Sequence, residues 1–238
     1  MTHLSRTAWP EVPSGALVLV PVGSTEQHGP QLPFDTDTVI AVAVAERIAT
    51  ALADRPVVVA PALAFGASGE HQDFAGTVSI GAEALRFVLI ELARSVRTWA
   101  PRLVFVNGHG GNVPAMSDAV AQLVEEGHDA AWVPCGTTAG DAHAGRSETS
   151  LLLRLHPERV GSERPSGAGE PIGALMPLLI ADGVRSVSPN GVLGDARGAS
   201  AEEGARLLDD MVASAVRRIL AASTDDRGCL RDPVASRA

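Results

Sequence analysis

The sequence has no tyrosine, and aromatic residues make up only 3% of its 238 residues, against 45% for hydrophobic residues as a whole. A core of this composition must consist mainly of Ala, Val and Leu, which suits the layers of an α/β fold. Only two cysteines occur, Cys135 and Cys229, and they lack the spacing of a disulfide framework or a thiolate metal site. We expect Cys135 to be a small buried hydrophobic residue.

An excess of positive charge is also absent, because the formal net charge is −9. Binding to a phosphate backbone requires clustered Lys and Arg, so the charge argues against nucleic acid as a partner. The longest apolar stretch, residues 38–53, is interrupted by Glu46 and Arg47, and no basic segment precedes a cleavable signal sequence. We therefore expect a cytoplasmic protein without a membrane partner.

Short runs rich in Val and Leu alternate with longer segments whose apolar residues recur every three or four positions. The short runs predict buried strands of a mostly parallel sheet, at residues 17–22, 57–63, 103–106 and 130–134. The longer segments predict helices at residues 38–52, 82–99, 113–126, 146–155, 171–181 and 201–221. We expect one three-layer α/β/α domain over residues 1–222 and a polar, flexible tail over residues 223–238.

Four side chains of the kinds that bind metals lie in one loop after a predicted strand. The loop is GSTEQHGPQLPFDTD, residues 23–37, and contains Glu26, His28, Asp35 and Asp37. Glu26 and His28 are two positions apart, so an extended backbone directs both to the same side. The aspartates also suit the start of the following helix, where a carboxylate caps free backbone amides. We interpret the loop as a metal-binding segment in which one aspartate binds and the other caps.

A second polar cluster, NGHGGN at residues 107–112, follows the predicted strand that ends at Val106. It lacks both the G-x-G-x-x-G spacing of a dinucleotide-binding turn and the lysine of a P-loop. A tight turn capped by Asn112 explains its glycines, and a metal ligand at His109 is the equally supported alternative. Because ligands collect beyond the carboxyl ends of strands, we expect His28 and His109 to share one cleft.

The third cluster is DAHAGRSETS, residues 141–150. His143 lies in a predicted loop, where it is either a proton carrier with a pKa near the working pH or an ordinary hydrogen-bonded histidine. Glu148 lies near a predicted helix start, where it is either a metal ligand or a first-turn capping residue. Oxygen and imidazole ligands without thiolate suit zinc, manganese or ferrous iron.

These motifs, in this order, resemble the creatininase family. The motifs are GSTEQHGPQLPFDTD, NGHGGN and HAGRSETS, with SGEHQDFAGTVSIG at residues 68–81 and GVLGD at residues 191–195. The resemblance extends over roughly residues 16–220. It implies an α/β/α sandwich, an amidohydrolase site with two divalent metal ions, and a homo-oligomer, often a hexamer.

Residue by residue, the resemblance implies that Glu26, His28, Asp37 and His109 are metal ligands, with Asp37 between the two ions. It also makes His143 the catalytic proton carrier. Creatininases have a further glutamate ligand two residues after the histidine of the NGHGGN motif, where this chain has Gly111. We predict that Glu148 replaces that ligand and supports catalysis.

The departure at Gly111, the presence of Gln31 where the family commonly has histidine, and the low aromatic content argue against creatinine as the substrate. The segments around residues 64–81 and 143–153 are more similar to the creatininase-like peptidases of mycofactocin biosynthesis. That similarity implies cleavage of the amide bond before a valine, which releases the modified C-terminal Val-Tyr dipeptide from the processed precursor peptide.

In the mechanism that we expect, a water molecule acidified by the cations attacks the amide carbonyl, and His143 protonates the leaving amine. Ser68, Glu70 and His71 are predicted to contact the substrate, and a loop held by its own hydrogen bonds is the alternative. Two other functions stay open at this point. One is a small-molecule amidohydrolase acting on a cyclic amide or a formamide, and the other is a non-catalytic metal-dependent binding module.

Overall fold

The computed structural model describes residues 1–136 and 140–233. Its centre is a five-stranded sheet in the order β1-β3-β2-β4-β5, and each pair of neighbouring strands is parallel. The strands are β1 (Thr2–His3), β2 (Leu17–Val22), β3 (Val57–Val59), β4 (Arg102–Asn107) and β5 (Ala130–Pro134). The prediction of an α/β fold around a parallel sheet is confirmed.

Helices cover both faces of this sheet. They are α1 (Thr36–Ala51), α2 (Gly81–Val96), α3 (Val113–Glu125), α4 (Arg146–Leu155), α5 (Ile172–Val187) and α6 (Ala201–Ala221). Helices α1, α4 and α6 pack on one face, where β4 contributes Val104 and Val106. Helices α2 and α3 pack on the other face, to which Leu103 and Phe105 of the same strand point. Successive side chains of β4 thus point to opposite faces of the sheet, and helices pack on both faces to form three layers.

Two predicted elements differ in length from the structure. The strand predicted at residues 57–63 ends at Val59, although the N–H groups of Ala60 and Leu63 still donate to the carbonyls of Leu19 and Pro21 in β2. The short helix predicted at residues 171–181 corresponds to the first part of α5. The helical backbone is interrupted at Gly183, where φ is 74° and ψ is 173°, and a short further helical segment reaches Val187.

The start of the predicted tail packs against the sheet. Leu230 is fully buried and donates its N–H to the carbonyl of Trp132 at 2.9 Å. Trp132 in turn donates its N–H to the carbonyl of Gly228 at 3.1 Å, so this segment lies along β5. Residues 234–238 lie outside the described part of the chain, and a flexible tail there stays a prediction. Among the described residues, none of the helices has the length and apolar character needed to cross a bilayer.

The loops that follow β2, β3, β4 and β5 all leave the same edge of the sheet, because the strands are parallel. Strand β2 lies between β3 and β4, and the chain passes from β2 to β3 on one side before it crosses to β4 on the other. Such a reversal opens a crevice between the two connections, which is where α/β sheets bind ligands. The sequence-predicted site residues follow β2 and β4 at this crevice.

Candidate metal centre

The loop after β2 buries Glu26, His28 and Asp37. It folds back on itself, since Glu26 donates its N–H to the carbonyl of Phe34 at 3.0 Å. His28 has its Nδ1 3.0 Å from the carbonyl oxygen of Glu26, which can only accept a hydrogen bond. The Nε2 atom of His28 therefore faces the centre, an arrangement typical of metal-ligating histidines.

The two aspartates of the loop point in different directions. Asp37 lies in the first turn of α1 and is 2% exposed. Asp35 precedes α1, makes no side-chain capping hydrogen bond, and instead pairs with Arg159 at the surface at 2.5 Å. Of the two, only Asp37 reaches the centre.

The Asp37 carboxylate is held by three neighbours. The Ser24 hydroxyl donates to Oδ2 at 2.6 Å, while Nε2 of His28 is 3.1 Å from Oδ1 and Nδ1 of His109 is 3.3 Å from Oδ2. Burial alone would raise the pKa of this carboxyl, but the two histidines outweigh it and hold the pKa well below its usual range. Asp37 is therefore ionised and fixed between two rings.

The Glu26 carboxylate has the opposite surroundings. Nε2 of His109 is 3.1 Å from Oε2, and Nε2 of His71 and Nδ1 of His143 are 3.3 and 3.7 Å from Oε1. Despite these short distances, neither carboxylate oxygen accepts a well-formed hydrogen bond. Burial raises the pKa of Glu26 to about 7. A buried carboxylate without a hydrogen-bond donor is the kind of group that a cation stabilises.

Glu148 enters the centre from the first turn of α4. Its Oε2 atom accepts the N–H of Ala144 at 2.6 Å and lies 3.9 Å from Nε2 of His28. Ala144 has a positive φ of 53°, so this hydrogen bond helps to hold an uncommon backbone conformation next to His143. Burial raises the pKa of Glu148 to about 7.

The histidines of the centre divide into two classes. Burial disfavours the charged form of His28 and His109, but nearby carboxylates outweigh burial and raise the pKa of each to about 10. Burial and the positive charge of neighbouring rings lower the pKa of His71 to about 3 and lower that of His143 well below its usual value. The sequence predicted a pKa near the working pH for His143, and the reason for the difference is its burial among other histidines.

Three sets of potential ligand atoms in the described residues lie within 4.8 Å of one another. The sets are Glu26, His28 and Asp37; His28, His143 and Glu148; and Glu26, His71 and His143. Each offers only oxygen and imidazole nitrogen, which suits a divalent transition metal. Together with the unsatisfied oxygens of Glu26, this donor set fits bound cations. His109 belongs to none of these three sets and instead flanks Glu26 and Asp37.

Two of the three predicted substrate residues line a cleft beside this centre. The cleft has a volume of about 840 Å³ and is bordered by Glu70, His71, His109 and His143. Its far wall is the apolar side of α5, formed by Ile172, Met176, Leu179, Ile180 and Val184. The third predicted residue, Ser68, is fully buried outside this lining, with its hydroxyl 3.5 Å from Nε2 of His109.

The centre contains contacts that the sequence did not predict. His71, expected to contact substrate, is 3% exposed and faces Glu26, because the loop after β3 crosses the end of β2. Gln27, which no sequence pattern singles out, contacts both His71 and His143 through its side-chain amide. The only sequence feature that could have indicated these contacts is the position of Gln27 between Glu26 and His28.

The glycine at position 111 is required by its neighbours. A Cβ atom on Gly111 would lie 2.4 Å from Nε2 of His109 and 2.7 Å from Oε1 of Glu70. The carboxylate of Glu70 thus lies beside Gly111, 3.5 Å from Nε2 of His109. Glu148, predicted to replace the ligand absent at Gly111, lies 3.9 Å from Nε2 of His28 and belongs to one set of potential ligand atoms with it, so the replacement stays a prediction.

Comparisons with known proteins agree with this architecture. The family described as "Creatininase: Creatinine amidohydrolase" matches residues 5–219. The chain is 54% identical to a "Mycofactocin precursor peptide peptidase" of Mycobacterium ulcerans over 90% of this chain and 86% of that protein. It is 52% identical to a protein of the same name from Mycolicibacterium smegmatis over 96% and 93% of the two chains.

The fold also matches a solved structure named "Creatininase Mn". The TM-score is 0.73 and the sequence identity is 25%, and the match covers 89% of this chain and 95% of the other. That name includes manganese, one of the metals that the oxygen and imidazole donors of the centre would suit. The matched length, the relatives and the shared fold agree, and the chain belongs to the creatininase family.

Proposed function

We propose that this chain is a metal-dependent peptidase that releases the modified C-terminal Val-Tyr dipeptide from a processed mycofactocin precursor peptide. The relatives named as mycofactocin precursor peptide peptidases support the peptide substrate, since they are 52% and 54% identical over nearly the whole chain. The observation that carries the metal chemistry is the Glu26 carboxylate, which is buried among histidines and whose oxygens accept no well-formed hydrogen bond.

In this proposal the centre holds two divalent cations per chain, either zinc, ferrous iron or manganese. The ligands are Glu26, His28, Asp37, His109 and Glu148. Asp37 faces both His28 and His109, which suits a carboxylate shared between two ions. When bound, such cations polarise an amide carbonyl and lower the pKa of water, which provides a nucleophile at neutral pH.

The protein residues move the proton and hold the geometry. His143 is neutral in its buried position and takes up a proton, which it then delivers to the nitrogen of the leaving amine. Glu148 supports this step because it accepts the Ala144 N–H and so fixes the loop that carries His143. Glu70 and His71 border the substrate cleft.

The size and lining of the cleft favour a peptide over a single small ring. A volume of about 840 Å³ falls in the range of sites for drug-sized ligands. The apolar side of α5 gives such a substrate a surface for the aliphatic and aromatic side chains of a Val-Tyr end. A cyclic amide or a formamide would leave most of this wall unused.

The test is an assay of the purified chain with each metal and after treatment with a strong chelator. We expect release of the dipeptide from the modified precursor, detected by mass spectrometry, and loss of that release on chelation. Hydrolysis of cyclic amides or formamides with an intact precursor would favour a small-molecule amidohydrolase. Tight metal binding without any hydrolysis would favour a binding module. The family resemblance also predicts a homo-oligomer, which light scattering tests.

A further inference from the structure

Gln27 is a buried residue between two proposed ligands, and its side chain has a role of its own. It is 5% exposed, and its amide nitrogen lies 2.9 Å from Nδ1 of His71, 3.0 Å from Nε2 of His143 and 3.1 Å from the carbonyl oxygen of Gly191. Its amide oxygen accepts the N–H of Gly29 at 2.9 Å. One amide thus contacts two histidines of the centre.

The orientation of this amide follows from its backbone partners. The carbonyl of Gly191 can only accept a hydrogen bond and the N–H of Gly29 can only donate one. Exchanging the oxygen and nitrogen of Gln27 would place two acceptors together at Gly191 and two donors together at Gly29. The nitrogen therefore faces Gly191 and the histidines.

This orientation determines which nitrogen of His71 carries the proton. The amide of Gln27 has two N–H groups, one directed to Gly191 and the other to Nδ1 of His71. Nδ1 accepts that hydrogen bond with its lone pair, so the ring proton of His71 is on Nε2. Nε2 faces Oε1 of Glu26 at 3.3 Å. His71 thus directs an N–H toward Oε1 of Glu26, although the two atoms do not form a well-aligned hydrogen bond.

The backbone of Gln27 determines the proton of His143. Nε2 of His143 is 2.9 Å from the carbonyl oxygen of Gln27, which can only accept, so Nε2 carries the proton. With Nε2 of His143 protonated, the 3.0 Å approach of the Gln27 amide nitrogen to that atom is a packing contact and not a hydrogen bond, and the two amide N–H groups point to Gly191 and His71. Nδ1 of His143, 3.7 Å from Oε1 of Glu26, keeps its lone pair.

We propose that Gln27 is a positioning residue that gives the neighbouring rings of His71 and His143 opposite roles. In His143 the Nε2 atom donates to the backbone carbonyl of Gln27, which leaves the Nδ1 lone pair free, as the proton carrier of the proposed function requires. In His71 the Nδ1 lone pair is occupied by the amide of Gln27 and the proton is on Nε2. His71 therefore has no lone pair directed at Glu26, and we infer that the set of Glu26, His71 and His143 is not a metal site. The role of His143 as proton carrier rests on the proposed function, whereas the assignment of the His71 proton does not.

The experiment is nitrogen-15 NMR of the histidine rings in the zinc-loaded full chain, which reads the protonated nitrogen of each ring. In the unsubstituted protein we expect Nε2 to carry the proton in both His71 and His143. For Gln27→Glu we expect the proton of His71 to move to Nδ1, since a carboxylate can only accept, while His143 stays unchanged. For Gln27→Met we expect kcat to fall about ten- to a hundredfold with a KM change below about threefold.

The matched control is Gln31→Met, which removes another buried glutamine amide. Gln31 donates to the carbonyl of Ala144 at 2.6 Å, and its amide makes no hydrogen bond to a histidine. We expect it to leave the His71 ring signals in place. A proton on Nδ1 of His71 in the unsubstituted protein would overturn the inference, even if no variant folds. If the NMR signals are as expected but the protein does not hydrolyse the peptide, the proposed function is wrong and the assignment of the His71 proton still holds.

Discussion

Glu26 and Asp37 belong to one loop and are equally buried, yet the protein treats the two carboxylates in opposite ways. Asp37 is surrounded by a hydroxyl donor and two histidines, and its pKa lies well below the usual range. Glu26 has three histidines nearby but no well-formed hydrogen bond, and burial raises its pKa to about 7. We call these two surroundings the Asp37 side and the Glu26 side of the centre.

The difference shows that burial alone does not define a metal ligand. On the Asp37 side the polypeptide itself stabilises the negative charge, so this side organises the fold as well as the site. On the Glu26 side the carboxylate costs folding free energy that a bound cation would recover. Functional residues commonly reduce stability in this way. Substitutions on the two sides should therefore have effects of opposite sign on the metal-free protein.

The largest effect is expected on the Glu26 side, at His143. We expect His143→Ala to lower the rate of peptide hydrolysis by about 10²- to 10⁴-fold, since it removes the proposed proton carrier. Metal content, measured by elemental analysis, should stay near that of the unsubstituted protein. Loss of metal together with activity would instead identify His143 as a ligand.

On the Asp37 side, Asp37→Asn should destabilise the chelator-treated protein by about 3 kcal/mol, because it leaves His28 and His109 without their buried partner. Urea unfolding measures this change. The control is Asp35→Asn, which removes an exposed carboxylate of the same loop and should cost less than about 1 kcal/mol. Equal losses in the two variants would mean that Asp37 does not organise the fold.

Glu148 lies 3.9 Å from Nε2 of His28, which in turn contacts Asp37. We expect substitutions of Glu148 to change the metal content. We expect Glu148→Ala to lose about one metal equivalent per chain, with an affinity loss of about a hundredfold or more at the affected position. Glu148→Gln is the matched variant, because its amide oxygen can still accept the Ala144 N–H. If both variants retain two metals, Glu148 is a supporting residue and not a ligand.

The pH dependence of stability tests the electrostatics of both sides. His28 and His109 have a pKa of about 10 in the folded protein, above the value of about 6.5 in an unfolded chain. Their contribution is complete below about pH 6.5 and is lost as the pH rises toward 10. The raised pKa of Glu26 acts in the same direction below about pH 7.

We therefore expect the Tm of the chelator-treated protein to fall by several degrees between about pH 7 and about pH 9. In zinc-loaded protein the cations replace these protons, so the fall should be smaller or absent. Thermal unfolding followed by circular dichroism gives both values. A rising Tm in the chelated sample would contradict the opposing charges assigned to the centre.

The smallest effect is expected for Glu26→Gln and has the opposite sign from that of Asp37→Asn. Removing a buried charge whose oxygens accept no well-formed hydrogen bond should stabilise the chelated protein by about 1 kcal/mol. The same variant should bind metal more weakly, so added zinc should raise its Tm less than that of the unsubstituted protein. A destabilised chelated variant would mean that Glu26 is satisfied without a cation.

The sequence predicted the elements that carry the site, because buried strands and amphipathic helices leave strong periodic patterns. It placed β2 at residues 17–22 and α4 at residues 146–155, as the structure does. The local pattern did not separate Asp35 from Asp37, since both suit a helix start, and only the family resemblance selected Asp37. Only the helical phase of α1, which begins at Thr36, directs Asp37 inward.

Contacts between distant loops could not be predicted. His71 reaches Glu26 because the loop after β3 crosses the end of β2, and no local pattern encodes that crossing. The same holds for Gln27, whose partner Gly191 is far away in sequence. The short helical segment after Gly183 was equally hidden, although the glycine does interrupt the helix as its sequence signal suggests.

The packing around Gly111 limits how this sequence can change. Any side chain at position 111 would overlap Oε1 of Glu70 and the ring of His109. A Cβ atom at this position would also lie 2.4 Å from the backbone carbonyl oxygen of Ala67, which no substitution removes. A change toward the glutamate that creatininases have at this position therefore requires the loop after β3, which carries both Ala67 and Glu70, to move away from Gly111. Evolution at position 111 is thus tied to the backbone path of a loop that lies far earlier in the chain.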